Sequence, residues 1–173
     1  MSNPRSFTIH KSKKSLVDKL MTARQSLVKN LDTMDHRLET VDEIAGVTYI
    51  NDSKATGILD TRDSLKCINK PIIWIACSTP HERDYSLIEK YVKYKIKSIV
   101  VFGNEGDDIK HMFADMVDHF VRVSNMYEAV AQAQKNSCAG DVVLFSPSCA
   151  SFGLFANYVE RGNAFKKVVA QLT

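Results

Sequence analysis

The sequence predicts an α/β domain: a mainly parallel sheet of about six strands with helices on both faces, preceded by one basic amphipathic helix. Three observations lead there. Four short apolar runs, Ile72–Ala76, Ile99–Phe102, Phe120–Val123 and Val142–Phe145, are nearly continuous rather than alternating, as suits strands covered on both faces. Stretches that read as helical separate them, at about 58–68, 85–95, 106–117, 126–136 and 151–171, and such alternation is the pattern of a doubly wound sheet. The composition, 45% hydrophobic and 25% charged over 173 residues, suits one globular domain with a short appendage. It excludes a disordered chain, a collagen-like chain and a disulfide scaffold.

The appendage comes first. Leu16, Leu20, Ala23, Leu27, Leu31 and Met34 recur at helical spacing and predict one helix over 11–34. Residues 1–30 hold seven basic residues against Asp18 alone, so this segment carries +6 of a whole-chain +3 and the remainder carries −3. A basic arm of this kind can meet nucleic acid, an anionic membrane surface or an acidic partner. A solvated helix face is the plainer reading, and nucleic acid is not an expected partner. The apolar stripe needs a cover, which the body of the same chain, a second copy or another protein can supply. The boundary falls near Asp35, which gives a basic segment over 1–34 and an α/β domain over 35–173. Leu38 to Ile44, a turn at Gly46 and the strand formers Val47-Thr48-Tyr49-Ile50 predict a hairpin. The Rossmann-like strand–helix rhythm runs on from there.

No apolar run approaches the roughly 20 residues of a membrane-spanning helix, and residues 1–10 lack the apolar core of a signal peptide. Cys67, Cys77, Cys138 and Cys149 include no C-x-x-C pair, so a reducing, cytoplasmic setting is expected. Neither a G-x-x-x-x-G-K-[ST] phosphate loop nor a G-x-G-x-x-G dinucleotide turn is present. Cys77 and His81 lie four residues apart without further ligands at zinc spacing, so no metal site is expected.

Open α/β sheets bind ligands beyond the C-terminal ends of their strands, and four polar segments fall there. Asn51 to Gly57 follows the second strand; Asp52 or Ser53 suits a helix cap, while Lys54 beside Thr56 suits an anionic group. Cys77 to Asp84 reads as a surface loop with Asp84 as helix cap. Gly103-Asn104-Glu105-Gly106 reads as a strand-to-helix turn that needs positive φ. In Ser146-Pro147-Ser148-Cys149-Ala150-Ser151, the residues Ser148 or Ser151 suit the cap of the last helix, whose free N–H groups attract carboxylates and phosphates.

Five strings stand out in order: His36 to Val41, Tyr49 to Thr56, Phe102 to Gly106, Gly140 to Ser151 and Arg161-Gly162-Asn163-Ala164-Phe165. Together they resemble the C-terminal domain of the Mur ligases, most of all the D-glutamate-adding branch of peptidoglycan synthesis, over about residues 35–172. The resemblance implies a Rossmann-like domain of an ATP-dependent, ADP-forming amide-bond ligase that uses ATP and magnesium. Such a domain brings in the amino acid and closes over ATP. It places Arg37 and Asp52 on the nucleotide, Lys54 and Thr56 at the substrate end of the cleft, and Ser151, Phe152 and Tyr158 on D-glutamate. His81 aligns with a lysine that grips a D-glutamate carboxylate. Cys77 and Ser78 replace glycines of that loop, so an acidic amino acid such as D-glutamate is expected to bind weakly. Gly57 stands where the family usually has asparagine. The domains that carry the phosphate loop and the UDP-sugar site lie outside this sequence. The chain is therefore expected to be inactive alone, to hold no ATP or magnesium tightly, and to work with the missing ligase domains. A stand-alone binding or regulatory module that kept the fold and lost the chemistry is the alternative.

Overall fold

The computed structural model describes residues 35–77, 84–103, 108–151 and 155–172. The expected helix over 11–34, His81 and Phe152 lie outside the described residues.

The hairpin forms as its composition asks. Strands β1 (Glu39–Ile44) and β2 (Val47–Asn51) pair antiparallel, with Ile44 opposite Val47. The two residues between them, Ala45 and Gly46, have φ of 51° and 79°. Two left-handed residues make the turn whose twist matches that of the strands. The register slips by one residue at Val41, a bulge that bends the outer strand.

Strands β3 (Ile72–Cys77), β4 (Ile96–Phe102), β5 (His119–Val123) and β6 (Val142–Phe145) complete a six-stranded sheet of order β1-β2-β6-β3-β4-β5. All pairs except β1–β2 are parallel. The last strand therefore inserts between β2 and β3, and the winding reverses there. In an open α/β sheet this switch point is where a crevice forms.

Helix α1 (Ile58–Cys67) follows β2, and a 3₁₀ turn (Tyr85–Ile88) leads into α2 (Glu89–Lys95). Helices α3 (Asp108–Phe113), α4 (Met126–Lys135) and α5 (Tyr158–Val169) complete the set. Ile73, Ile75 and Phe145 face α4 and α5, whereas Ile72, Trp74 and Leu144 face α1, α2 and α3. Both faces of the central strands are thus covered, which is why their sequences are apolar without alternation.

Asp84 caps the 3₁₀ turn, accepting from Ser86 N at 3.2 Å, as expected. Two other expected caps are absent. The residue before α1 is Gly57, with no side-chain cap, because Asp52 and Ser53 turn inward instead. The last helix begins at Tyr158 and not near Ser151, for Asn157 accepts from Glu160 N at 2.9 Å and the Glu160 carboxylate accepts from Ala156 N at 2.7 Å. This reciprocal cap fixes the start, so neither Ser148 nor Ser151 caps α5.

Trp74 ties the two sides of the switch point: fully buried on β3, it donates from Nε1 to Ser146 O at 2.7 Å. Replacing it with Phe is expected to cost about 1–3 kcal/mol by orphaning that carbonyl. Trp74→Ala is expected to cost about 3–5 kcal/mol through the cavity it leaves. Denaturant midpoints at unchanged m-value check both.

Candidate functional site

The C-terminal ends of β2, β6 and β3 run straight into polar sequence at the switch point. Asn51, Asp52 and Ser53 are all fully buried, and buried polar groups must find partners.

Asp52 finds them on two sides. Its carboxylate accepts from Leu38 N at 3.2 Å and from Ser146 Oγ at 2.8 Å, and Ser146 Oγ lies 2.9 Å from Thr61 Oγ1 on α1. Arg37 Nε stands 3.8 Å from the same carboxylate, and Arg37 Nη1 is 3.5 Å from Asp60. Burial pushes the Asp52 carboxyl above its ordinary range, against the pull of hydrogen bonds from Ser64 and Ser146, the Arg37 charge and the Leu38 amide. Arg37 thus stands between two acidic side chains, Asp52 and Asp60.

Asn51 and Ser53 bind the other wall. Asn51 Nδ2 reaches His36 Nδ1 at 3.0 Å and the Glu39 carboxylate at 2.9 Å, and Glu39 also accepts from Lys166 Nζ at 2.8 Å. Burial pushes Glu39 up, but the hydrogen bonds from Lys166, His36 N and Asn51 outweigh it and hold the carboxyl below its ordinary value. Ser53 Oγ donates to Tyr158 O at 2.9 Å. Arg161 is fully buried and donates to Ser53 O at 2.8 Å and Cys149 O at 2.9 Å, joining the segments after β2 and β6. Gly162 makes this closeness possible. A Cβ there would collide with His36 Nδ1, Ser53 Oγ and Asn51 Nδ2 together.

Above this buried layer, Lys54 and Thr56 are exposed. Lys54 Nζ lies 6.0 Å from the centre of the Tyr158 ring and makes no ion pair among the described residues. The site thus has a guanidinium flanked by Asp52 and Asp60 on one side and, on the other, an ammonium beside an aromatic ring with no ion pair among the described residues. The second suits an anion; the first suits an uncharged, hydrogen-bonding or stacking group.

Residues 36–149 match the family profile of the Mur ligase glutamate ligase domain. The chain belongs to the Mur ligase family. It is 38% identical over 145 residues to the UDP-N-acetylmuramoylalanine–D-glutamate ligase of Cytophaga hutchinsonii, covering 84% of this chain and 32% of that protein. The Porphyromonas gingivalis protein of the same name is 36% identical over 150 residues, covering 87% of this chain and 33% of its own length. The chain therefore spans about a third of these relatives, 32% and 33%. Among solved structures it is similar to MurF ligase from Thermotoga maritima in complex with ADP, with a TM-score of 0.52 at 13% identity over 91% of this chain and 38% of that one. A murein peptide ligase from Psychrobacter arcticus gives a TM-score of 0.53 at 10% identity, covering 80% of this chain and 30% of that one. These likenesses show that the Mur ligase C-terminal fold is shared.

Of the residues singled out in the sequence, the fold brings Arg37 against Asp52 and Lys54 over Tyr158. Ser151 is 8% exposed and stands on the segment after β6, away from the start of α5. Sequence reasoning assigned no role to His36, Glu39, Asn51, Ser146, Arg161 or Gly162. One signal was available: Arg161 lies between Tyr158 and Phe165 at helical spacing, on the stripe that must be buried.

Asp52→Asn keeps an acceptor for Leu38 N and offers a donor to Ser146 Oγ, without the charge that burial disfavours. At neutral pH it is expected to melt no lower than the parent. Asp52→Leu leaves the Leu38 N–H without its acceptor and Ser146 Oγ with Thr61 alone, and is expected to lose about 1–3 kcal/mol. Thermal melting of both variants at pH 7 checks the difference.

Proposed function

We propose that this chain is the C-terminal domain of a UDP-N-acetylmuramoylalanine–D-glutamate ligase, an ATP-dependent amide-bond ligase of peptidoglycan biosynthesis. The observation that carries the reading is the match over most of this chain to relatives of that name, 84% and 87% of it, with Arg37, Lys54 and Tyr158 standing at the sheet's switch point. A divergent binding module without chemistry is less favoured, since the similar proteins bear the names of ligases.

In this reading Arg37, steadied by Asp52 and Asp60, meets the uncharged end of ATP. Lys54 and Thr56 line the substrate end, and Lys54 attracts negative charge. Tyr158 and Ser151 are assigned to the acidic amino acid D-glutamate, as are Phe152 and His81 by the family resemblance alone. The domain brings that amino acid in and closes over ATP, while the activated carboxylate and the phosphate-binding loop belong to other parts of the ligase. Among the described residues no cluster of His, Cys, Asp or Glu could hold a metal ion. In this reading magnesium belongs with the phosphate-binding loop in the other parts of the ligase. No helix among the described residues is long and apolar enough to cross a membrane, and the four cysteines form no disulfide.

A fusion tests the reading. Residues 35–173 replace the matching third of the Cytophaga hutchinsonii ligase, and ADP release is followed with and without D-glutamate. The fusion is expected to show D-glutamate-dependent ADP release, and the isolated chain none. Arg37→Ala and Lys54→Ala are each expected to lower kcat/KM roughly 100-fold, the scale for losing one positioned polar group. A folded fusion without D-glutamate-dependent turnover, beside an active parent, overturns the proposal.

A further inference from the structure

Asn51 is held by groups whose roles cannot be exchanged. Its Oδ1 accepts from the Ser53 backbone N–H at 3.1 Å, and its Nδ2 donates to the Glu39 carboxylate at 2.9 Å. A backbone N–H only donates and an ionised carboxylate only accepts, so the amide cannot be turned round. The other hydrogen of Nδ2 faces His36 Nδ1 at 3.0 Å. Nδ1 must therefore accept, which puts the ring proton on Nε2 and leaves the imidazole neutral.

This ring sits where the backbone is least at ease. His36 and Leu38 have φ of 65° and 46°, both left-handed, and they flank Arg37. Non-glycine residues stay in that region only when their surroundings enforce it. Here His36 N donates to Glu39 at 2.9 Å, His36 O accepts from Lys54 N at 2.9 Å, and Leu38 N donates to Asp52. The ring itself is 6% exposed; it meets Tyr158 edge-on at 6.0 Å and is closed over by α5 at Gly162.

We propose that His36 is a positioning residue for the nucleotide end of the site: as a neutral Nε2–H imidazole it locks the turn over 36–38 that presents Arg37, and a proton on Nδ1 releases Arg37, Lys54 and Tyr158 together. The functional part of this statement rests on the reading of Arg37 given above.

The groups around the ring set the sign. Asp35 and Glu39 come from its own turn and β1, with the Glu39 carboxylate 3.9 Å from Nδ1, and Lys166 and the Tyr158 ring come from α5. Burial and the Lys166 charge lower the His36 pKa, and Glu39 and Asp35 pull it partly back. The folded state therefore takes up the proton less readily than the unfolded chain, whose histidine titrates near about pH 6.5. The His36 contribution to stability is complete above that value, falls as pH drops toward the folded-state value, and is level below it.

The test is nitrogen-15 NMR of the 173-residue chain between pH 5 and 8, following the His36 ring nitrogens, Arg37 Nε and the Lys54 amide. At pH 7 the His36 proton is expected on Nε2. Below pH 6.5 the Arg37 and Lys54 signals are expected to move with the same midpoint as the ring. His36→Asn keeps an acceptor near Nδ1, tolerates left-handed backbone and cannot titrate. It is expected to hold the parent's pH 7 positions for Arg37 and Lys54 and to lose their pH dependence. His36→Ala is expected to shift both signals at every pH; should it fail to fold, His36→Asn decides alone. A proton on Nδ1 at pH 7, Arg37 and Lys54 signals that ignore the ring's titration, or an unchanged pH response in His36→Asn overturns the proposal. The signals are read without nucleotide, so failure of the fusion to turn over leaves this result standing, and the reverse holds too.

Discussion

Three consecutive polar residues, Asn51, Asp52 and Ser53, are fully buried where β2 ends, and the site-bearing end of the molecule is organised around satisfying them. An unpaired polar group in such a place costs about 1–3 kcal/mol, more than a typical hydrogen bond contributes net, so each must be met. Asp52 reaches across to Ser146 after β6, Asn51 draws in the turn over 36–39, and Ser53 anchors the first turn of α5. The outer residues of the site, half-buried Arg37 and Tyr158 and exposed Lys54, are each joined through backbone or side chain to this layer. Their geometry follows from buried hydrogen bonds rather than from contacts among themselves.

Topology explains why the burden falls there. Insertion of β6 between β2 and β3 brings three parallel strand ends side by side, and apolar strands can cover one another only as far as they extend. The pairing of β2 with β6 ends at Asn51 and Phe145, and the residues that follow, Asp52, Ser53 and Ser146, are buried and polar. Arg161 joins them as a fully buried guanidinium that donates to the Ser53 and Cys149 carbonyls and to the Cys149 sulfur. Gly162 lets α5 approach closely enough to do so. The solved Mur ligases share this frame at 10% and 13% identity, which is what a fold set by strand order and apolar pattern allows.

The strands were legible in the sequence because their signal is local. Continuous apolar runs such as Ile72–Ala76 and Val142–Phe145 announce strands covered on both sides, and Gly46 announces the hairpin turn. The start of α5 was less so: Ser148 and Ser151 suit a cap, but Asn157 with Glu160 forms a reciprocal one, and two satisfied donors outweigh one. Asp52 and Ser53 also resembled caps; that they turn inward depends on Ser146, Leu38 and Tyr158, all distant in sequence except Leu38. The roles of His36 and Gly162 were illegible for the same reason. Nothing near a histidine in sequence says that a glycine 126 positions later will leave room for its ring.

Amide hydrogen exchange tests the central claim most directly. Leu38, Ser53 and Lys54 lie outside the regular strand pairing, yet their N–H groups are bound to Asp52, Asn51 and His36. If the buried polar layer holds this end of the molecule together, these amides should exchange as slowly as those of Ile75 and Val100 in the central strands. Exchange at the rate of an open loop, with the strands still protected, would contradict the account.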